Sequence, residues 1–448
     1  MTLAIRGGKR SGAVAAPPSK SKLHRMLICG ALSETPGGIY CPVSSRDIDA
    51  TVDCLNGLGA RIERRDGVFE ITPVSGPPGS VVRHLNCGES GSTLRFLLPL
   101  CGALDRIAVF HMEGRLPQRP NDAYFSELMR HGMNIVREND LLLVSGKLEA
   151  GAFRIPGGIS SQFVSGLMFA LPLLEGDSEI VIEGRLESVD YALMTLGALR
   201  DAGVEVDFPE VKADVSAGRA GLASPDHEGA ALSESTTPFE RSVRIKGGQK
   251  YKVSGCRTPE GDWSNAAFFL CMGAASRKGI TVSGLDAASD QGDRRILRIL
   301  EGFGAETENR AEGILVRSGR MAPQTIDASD IPDLVPVVAA LAAGIPGETV
   351  IKNAGRLRFK ESDRIRSTVQ MINALGGEAV ETEDGMVVTG RETLPGGTLD
   401  SQNDHRIAMA GAMMSLYCSG DVHIDGHKCV DKSYPGFWDD FFGLEVTK

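Results

Sequence analysis

One pattern recurs along this chain and restricts its fold more than any other feature. An apolar helix ends in a glycine, and a charged strand, a turn and a second strand follow. CLNGLGARIERRDGVFEITP carries it around Gly59, ELMRHGMNIVRENDLLLVSG around Gly132, and LGALRDAGVEVDF, with a longer sequel, around Gly203. ILEGFGAETENRAEGILVRSG repeats it around Gly304 and MINALGGEAVETEDGMVVTG around Gly376, and FWDDFFGLEV around Gly443 is a truncated sixth copy. The glycines lie about 70 residues apart, with about 100 between Gly203 and Gly304, which is longer than the usual solenoid period. A glycine after each helix suits a left-handed C-cap. The alternation of apolar and polar residues beyond it suits a half-buried hairpin. Six such units with one interruption predict an α/β protein of two similar domains, three units each. The interruption runs from about Pro209 to Lys252. Within it, 220–240 is rich in Ser, Gly, Pro and acidic residues and reads as a mobile excursion. Tyr251–Gly261 reads as the connection into the second half. The expected division is residues 18–260 as one domain, and 1–17 together with 261–448 as the other.

Bulk properties narrow the function. The net charge is -10 and only 5% of residues are aromatic, which disfavours nucleic acid and anionic membrane as partners. The nine cysteines are scattered without a ligand-like spacing, as in reduced thiols of a cytoplasmic protein, and they predict no metal. The first residues, MTLAIRGGKRSG, lack the apolar core of a secretory signal. The apolar runs Phe163–Leu174 and Leu334–Ile345 are too short for a membrane span and read as buried helices.

Against that acidic background, Arg356–Arg366 packs five cations and two carboxylates into eleven residues. Concentrated positive charge suggests an anion site, and the carboxylates within it suggest proton transfer on an anionic substrate. A solvated helix start, with Glu361 and Arg364 as an i,i+3 pair, is the alternative. Other segments share one grammar: polar or basic residues ahead of an apolar helix. They are Pro17–Arg25, Gly88–Arg95, Ser160–Gln162 after two glycines, Asp327–Asp333 and Asn403–Arg406. Each alone fits an ordinary cap. Together, helix N-termini converging from two halves would make a cleft of positive potential. The Pro-stiffened loop Gly114–Pro120 adds Arg115 and Arg119, and Lys428–Pro435 adds late cations. That predicts small substrates bearing phosphate and carboxylate groups. A nucleotide cofactor is unsupported, because neither a G-x-G-x-x-G after a strand nor a Walker A loop is present.

From about Ser19 to Pro435 these motifs, in order, resemble the 5-enolpyruvylshikimate-3-phosphate (EPSP) synthase family. The resemblance implies two domains of three βαβαββ units, an inside-out α/β barrel arrangement, with the active site in the cleft between them. It implies transfer of the enolpyruvyl group of phosphoenolpyruvate to shikimate-3-phosphate, the shikimate-pathway step targeted by glyphosate. No cofactor and a cytoplasmic monomer are expected. By the resemblance, Lys20, Ser21, Arg25, Ser160, Ser161, Gln162, Ser188, Tyr191, Asp333, Arg356 and Lys360 would bind shikimate-3-phosphate. Lys20, Gly91, Ser92, Arg95, Arg119, Gln162, Arg364, Arg406 and Lys432 would bind phosphoenolpyruvate. Lys20, Asp333, Glu361, His405 and Lys432 would carry the chemistry, with Asp333 handling the hydroxyl proton and Glu361 the C3 proton.

Three positions depart from the family's usual pattern. Glu89 stands where Asn is common, Arg356 where many members carry Asn, and Ser92 where Thr is common. An acid beside a phosphoenolpyruvate site needs a partner, and Arg95 or Arg356 is the expected one. Gly91 is kept, which leaves room for small phosphonates. Two rival readings are the sister UDP-N-acetylglucosamine enolpyruvyl transferase and a silent anion-binding protein on the same fold. The pair Lys20-Ser21, the Ser160-Ser161-Gln162 run and a Gly114–Pro120 loop without Cys argue against the first. The intact set Asp333, Glu361 and Lys432 argues against the second.

Overall fold

The computed structural model describes residues 2–76, 79–209 and 241–447, so the excursion expected at 220–240 lies outside the described residues. Five of the six repeats build a sheet with one strand order. In the second unit, Gly79–Gly88 runs parallel to Arg106–Met112, which pairs antiparallel with Leu141–Ser145, itself antiparallel to Asn134–Glu138. The last two strands are the hairpin read from the sequence. The same order recurs in the sheets that end in the hairpins Arg61–Arg65/Val68–Thr72, Glu306–Arg310/Gly313–Arg317 and Glu378–Glu381/Met386–Gly390. In the third unit Val206–Asp207 and Arg241–Ile245 take the hairpin positions.

The helices alternate between two roles. They are α1 (Lys20–Ala31), α2 (Arg46–Leu58), α3 (Gly91–Ala103), α4 (Asp122–Arg130), α5 (Ser161–Ala170) and α6 (Val189–Asp201) in the first three units. In the last three they are α7 (Trp263–Ala274), α8 (Ile296–Phe303), α9 (Val335–Ala342), α10 (Arg364–Ala374), α11 (His405–Met414) and α12 (Phe437–Gly443). The first helix of a unit is the more deeply buried. Every residue of α7, α9 and α11 but Ser264 is buried, and these three helices pack on one another. Helices apolar on all sides need such an interior. The second helix shows one apolar face, as α2 does with Ile48, Thr51, Cys54, Leu55 and Leu58. No helix among the described residues is long and apolar enough to cross a membrane.

Glycine caps close five of the six repeats. Gly59, Gly132, Gly203, Gly304 and Gly376 have φ of 113°, 93°, 73°, 95° and 82°, where a Cβ is strained. Gly443 differs from the expectation: it is the last residue of α12, followed by an extended Leu444. The chain leaves that helix directly into Glu445–Thr447, so no left-handed turn is needed.

Two apolar cores result. One draws on residues from Leu23 to Val253. The other draws on Ile5, Val14 and residues from Trp263 to Leu444. The strands between them are exchanged. Lys9–Ala15 pairs in parallel with Ile280–Ser283, and Thr2–Ile5 pairs with Val422–Asp425, so the N-terminal strands belong to the second lobe. Cys256–Arg257 still pairs with Gly37–Tyr40 of the first, so the chain crosses back only after it. The two crossings touch: Ser19 N donates to Glu260 O at 2.8 Å and Asp262 N to Pro17 O at 2.8 Å.

Candidate active site

The crossings aim helix starts from both lobes at one cavity of about 410 Å³. On the first lobe, α1, α3 and α5 are capped by Ser19, Ser90 and Ser160, whose hydroxyls accept from the backbone N–H of Lys22, Thr93 and Gln162. A serine cap satisfies one N–H without cancelling the positive end of the helix. On the second lobe, α7 and α11 are capped by Asp262 and Asp404, and these carboxylates have further duties. Asp262 also accepts from Lys20 N at 2.9 Å, and Asp404 accepts from Arg364 Nε at 2.8 Å. Among the described residues the cavity is lined by eight Lys or Arg side chains and three carboxylates, Asp47, Asp333 and Glu361. That excess of positive charge favours anions.

Every site residue expected from the sequence lines this cavity except Lys432, which sits beside it. Arg25 is buried and donates to Thr195 Oγ1 at 2.8 Å and Tyr191 O at 2.7 Å. Burial lowers its pKa to about 10. Arg95 donates to Asn121 Oδ1 at 2.8 Å and Gln162 Oε1 at 2.8 Å, and Gln162 donates on to Ser92 Oγ at 2.9 Å. Burial, with the neighbouring Arg119 charge, brings Arg95 down to about 9. Lys20 Nζ is 2.7 Å from Asp47. Gly91 is tight: a Cβ there would lie 2.7 Å from an Arg119 guanidinium nitrogen.

Arg364 organises the opposite wall. It is 1% exposed, and its guanidinium reaches Asp333 Oδ1 at 2.7 Å, Asp404 Oδ2 at 2.8 Å and Glu361 Oε2 at 2.5 Å. Burial alone would raise the pKa of both Asp333 and Glu361. For Asp333, Arg406, Lys360 and Arg364 overcome it and hold the group well below the usual carboxylate range. For Glu361, Arg364 and Arg119 do the same. Lys360 keeps 30% of its side chain open to the cleft, yet desolvation brings it down to about 8 against the pull of Asp333. His405 is buried, neither ring nitrogen has a hydrogen-bond partner among the described residues, and burial lowers its pKa to about 3. It is a neutral imidazole.

The expected partners of Glu89 are corrected. Its carboxylate accepts from Lys432 Nζ at 2.9 Å and from Asn403 Nδ2 at 2.9 Å, both on the other lobe. Arg95 lies deeper, committed to Asn121 and Gln162. Arg356 pairs elsewhere, with Glu187 at 3.0 Å and the Ser188 hydroxyl at 2.6 Å. The departures at Glu89 and Arg356 therefore do not offset each other; each has its own partner.

A family model described as EPSP synthase (3-phosphoshikimate 1-carboxyvinyltransferase) matches residues 5–223 and 227–441. The chain belongs to the EPSP synthase family. A 3-phosphoshikimate 1-carboxyvinyltransferase of Clostridium kluyveri is 42% identical over 446 residues, covering 99% of this chain and 97% of that one. One from Clostridium acetobutylicum is 40% identical, covering 96% and 94%. EPSP synthase from Acinetobacter baumannii matches the fold over 100% of both chains with a TM-score of 0.73 at 24% identity. The enolpyruvyl transferase NikO from Streptomyces tendae matches with the same TM-score, 0.73, at 17% identity over 100% of this chain and 98% of its own.

Sequence reasoning passed over several residues of this EPSP synthase family site. Asp47, the partner of Lys20, stands in the first turn of α2, where the helix-start pattern could have found it. Asn121 directly follows Arg119-Pro120 and orients Arg95. Asp293, in a polar Gln-Gly-Asp run, carried no signal that it would be buried.

Proposed function

We propose that this protein performs its family's reaction, transferring the enolpyruvyl group of phosphoenolpyruvate to the 5-hydroxyl of shikimate-3-phosphate with release of inorganic phosphate. This is a step of aromatic amino-acid biosynthesis. The observation that carries the reading is the pair of carboxylates, Asp333 and Glu361, gripped by one buried guanidinium inside a cleft of cations. In the addition step the substrate oxygen bonds to C2, its proton passes to Asp333, and C3 takes a proton from Glu361. In the elimination step C3 returns its proton to Glu361, the bond from C2 to the phosphate oxygen breaks, and the departing phosphate takes up the proton held by Asp333.

This scheme needs Glu361 protonated before addition, whereas the empty cleft holds it as a carboxylate. The anions of phosphoenolpyruvate resolve that conflict. When they engage Arg119 and Arg364, the field holding Glu361 ionised is shared with a competitor, and its pKa rises. Lys20, Lys432 and the arginines then stabilise charge on the phosphate and carboxylate, while His405 offers a neutral N–H or ring nitrogen. The shikimate phosphate and ring fall to Ser21, Arg25, Ser160, Ser161, Gln162, Ser188, Tyr191, Arg356 and Lys360. Phosphoenolpyruvate falls to Lys20, Gly91, Ser92, Arg95, Arg119, Gln162, Arg364, Arg406 and Lys432.

The two cores support residues 18–260 as one domain and 1–17 with 261–448 as the other, closing on the substrates and excluding water. We place the protein in the cytoplasm as a monomer. The test is phosphate release from phosphoenolpyruvate, with shikimate-3-phosphate and, in parallel, with UDP-N-acetylglucosamine. Release with shikimate-3-phosphate alone is expected. Release only with the nucleotide sugar, or with neither, overturns the reading.

A further inference from the structure

Asp293 is a buried carboxyl that the reaction scheme leaves unused. It sits in the 3-10 turn Gly292–Arg295 ahead of α8 and is 5% exposed. The Tyr191 hydroxyl, from α6 on the other lobe, lies 3.2 Å from Asp293 Oδ2 and 2.9 Å from Asp333 Oδ2. Oδ1 of Asp293 has no hydrogen-bond partner among the described residues, a condition that a neutral carboxyl tolerates better than a carboxylate.

Proton counting decides the state of this trio. A phenol owns one proton, and sharing it between two carboxylates in a three-centre bond weakens both contacts and leaves two anions facing each other. Both contacts are full-strength hydrogen bonds when a second proton resides among the three groups. Asp333 is the wrong host, because Arg364 and Arg406 stand at 2.7 Å and 3.6 Å from it and Lys360 at 3.7 Å. Asp293 has no such set. Among the described residues, the charged and titratable groups around it are Tyr191 from α6, Asp333 from the segment before α9, Asp262 at the start of α7, Arg406 from α11 and Arg295 from its own turn, with the neutral hydroxyl of Ser264 beside them. Burial raises its pKa most, and Asp333 and Asp262 act in the same direction. Arg406 and Ser264 oppose them, and the balance lies at about 7.

We propose that neutral Asp293 is a positioning residue for the proposed transfer: it donates a hydrogen bond to the Tyr191 oxygen, which turns the phenol proton onto Asp333 and keeps that carboxylate ionised and aimed to receive the substrate's hydroxyl proton. The inference rests on the reaction assigned above. Loss of the Asp293 proton places a second negative charge near Asp333 and leaves one phenol proton contested between two carboxylates. Catalysis then declines as pH rises, because the chain no longer points toward Asp333.

The experiment compares Asp293→Asn, whose neutral amide still donates, with Asp293→Ala and Tyr191→Phe. The last two are expected to lose about 100-fold in kcat, the scale of a misplaced reacting group. Asp293→Asn is expected to recover most of that loss. It should also lack the decline in kcat that the parent protein shows as pH rises through about 7. Infrared difference spectra of the substrate-free protein supply a readout independent of turnover. The carbonyl band of a neutral carboxylic acid should titrate near 7 in the parent and be missing from Asp293→Asn. An Asp293→Asn protein as impaired as Asp293→Ala, with the parent's pH profile, overturns the proposal, as does a parent spectrum without that band. Failure of the parent to release phosphate with shikimate-3-phosphate would overturn the reaction instead, and the infrared band would still decide the protonation of Asp293.

Discussion

The Lys432 ammonium lies 2.9 Å from Glu89 Oε2, and the two residues come from opposite lobes. The same carboxylate receives Asn403 at 2.9 Å, so one acid joins two segments of the second lobe to the loop ahead of α3. The contact has two consequences of opposite sign. It ties the two lobes together, and it occupies a cation proposed to meet the phosphate of phosphoenolpyruvate. Removing the charge while keeping the shape separates them. In Glu89→Gln, the KM for phosphoenolpyruvate is expected to fall several-fold, because Lys432 is freed for the anion and the site potential rises. The KM for shikimate-3-phosphate should change little. An unchanged or raised KM for phosphoenolpyruvate in steady-state kinetics would show that closure, not competition, is the main role of Glu89.

Gly91 tests the fit of the same substrate from the other side. A Cβ at this position would stand 2.7 Å from Arg119 and 3.6 Å from the Gln162 amide oxygen. Arg119 is 7% exposed and 3.5 Å from Glu361, so it has little room to retreat. Gly91→Ala is expected to raise the KM for phosphoenolpyruvate by about 10-fold, roughly 1.4 kcal/mol, with a smaller change in kcat. Binding of shikimate-3-phosphate alone, followed by calorimetry, should be unaltered.

The sequence made the fold legible because each repeat writes its own boundaries. A glycine ends the helix, alternation marks the hairpin, and the period repeats often enough to be counted. The cavity was legible where its lining coincides with a helix start, as at Lys20, Gly91, Ser160 and His405. What stayed hidden depends on contacts between segments far apart in sequence. Asp293 and Tyr191 are separated by 102 positions, and Glu89 and Lys432 by 343. No local pattern announces that a carboxylate will lie buried beside another, or that an acid in the loop ahead of α3 will find its cation on the opposite lobe. The missing left-handed cap at Gly443 has a related cause: there the chain runs on into a strand that borrows its partner, Lys9–Ala15, from the N-terminus.

Lys360 predicts a proton-linked binding event. Desolvation lowers its pKa to about 8 in the empty protein, from an ordinary value of 10.5. A bound phosphate or carboxylate favours the ammonium and raises the pKa again. Binding of shikimate-3-phosphate should therefore take up protons at and above pH 8 and almost none near pH 6, where Lys360 is already charged. Calorimetry in buffers of different ionisation enthalpy measures this directly, and Lys360→Met should abolish the uptake. The sign for stability runs the same way. A lysine with a depressed folded pKa contributes stability above its unfolded pKa, and that contribution is lost as pH falls through about 8. Lys360→Met should consequently gain stability relative to the parent at pH 7.

Arg364 concentrates the largest energetic risk in the site. Its guanidinium serves Asp333, Glu361 and Asp404, which come from three separate segments, and Asp404 is fully buried. Arg364→Met leaves these carboxylates without their common cation. Removing one partner of a buried ion pair typically costs about 3–5 kcal/mol, so a loss of that size is expected in denaturant unfolding at neutral pH. At low pH the difference should shrink, because the orphaned carboxyls then fold protonated and need no partner. Arg364→Lys keeps the charge but not the fork, and a single ammonium cannot reach three acceptors in this geometry. It should fold with a smaller loss and still turn over poorly, since Asp333 and Glu361 are no longer held in register. Equal stability of the methionine variant and the parent at neutral pH would mean that Lys360 and Arg406 suffice to hold Asp333, and that Arg119 suffices for Glu361.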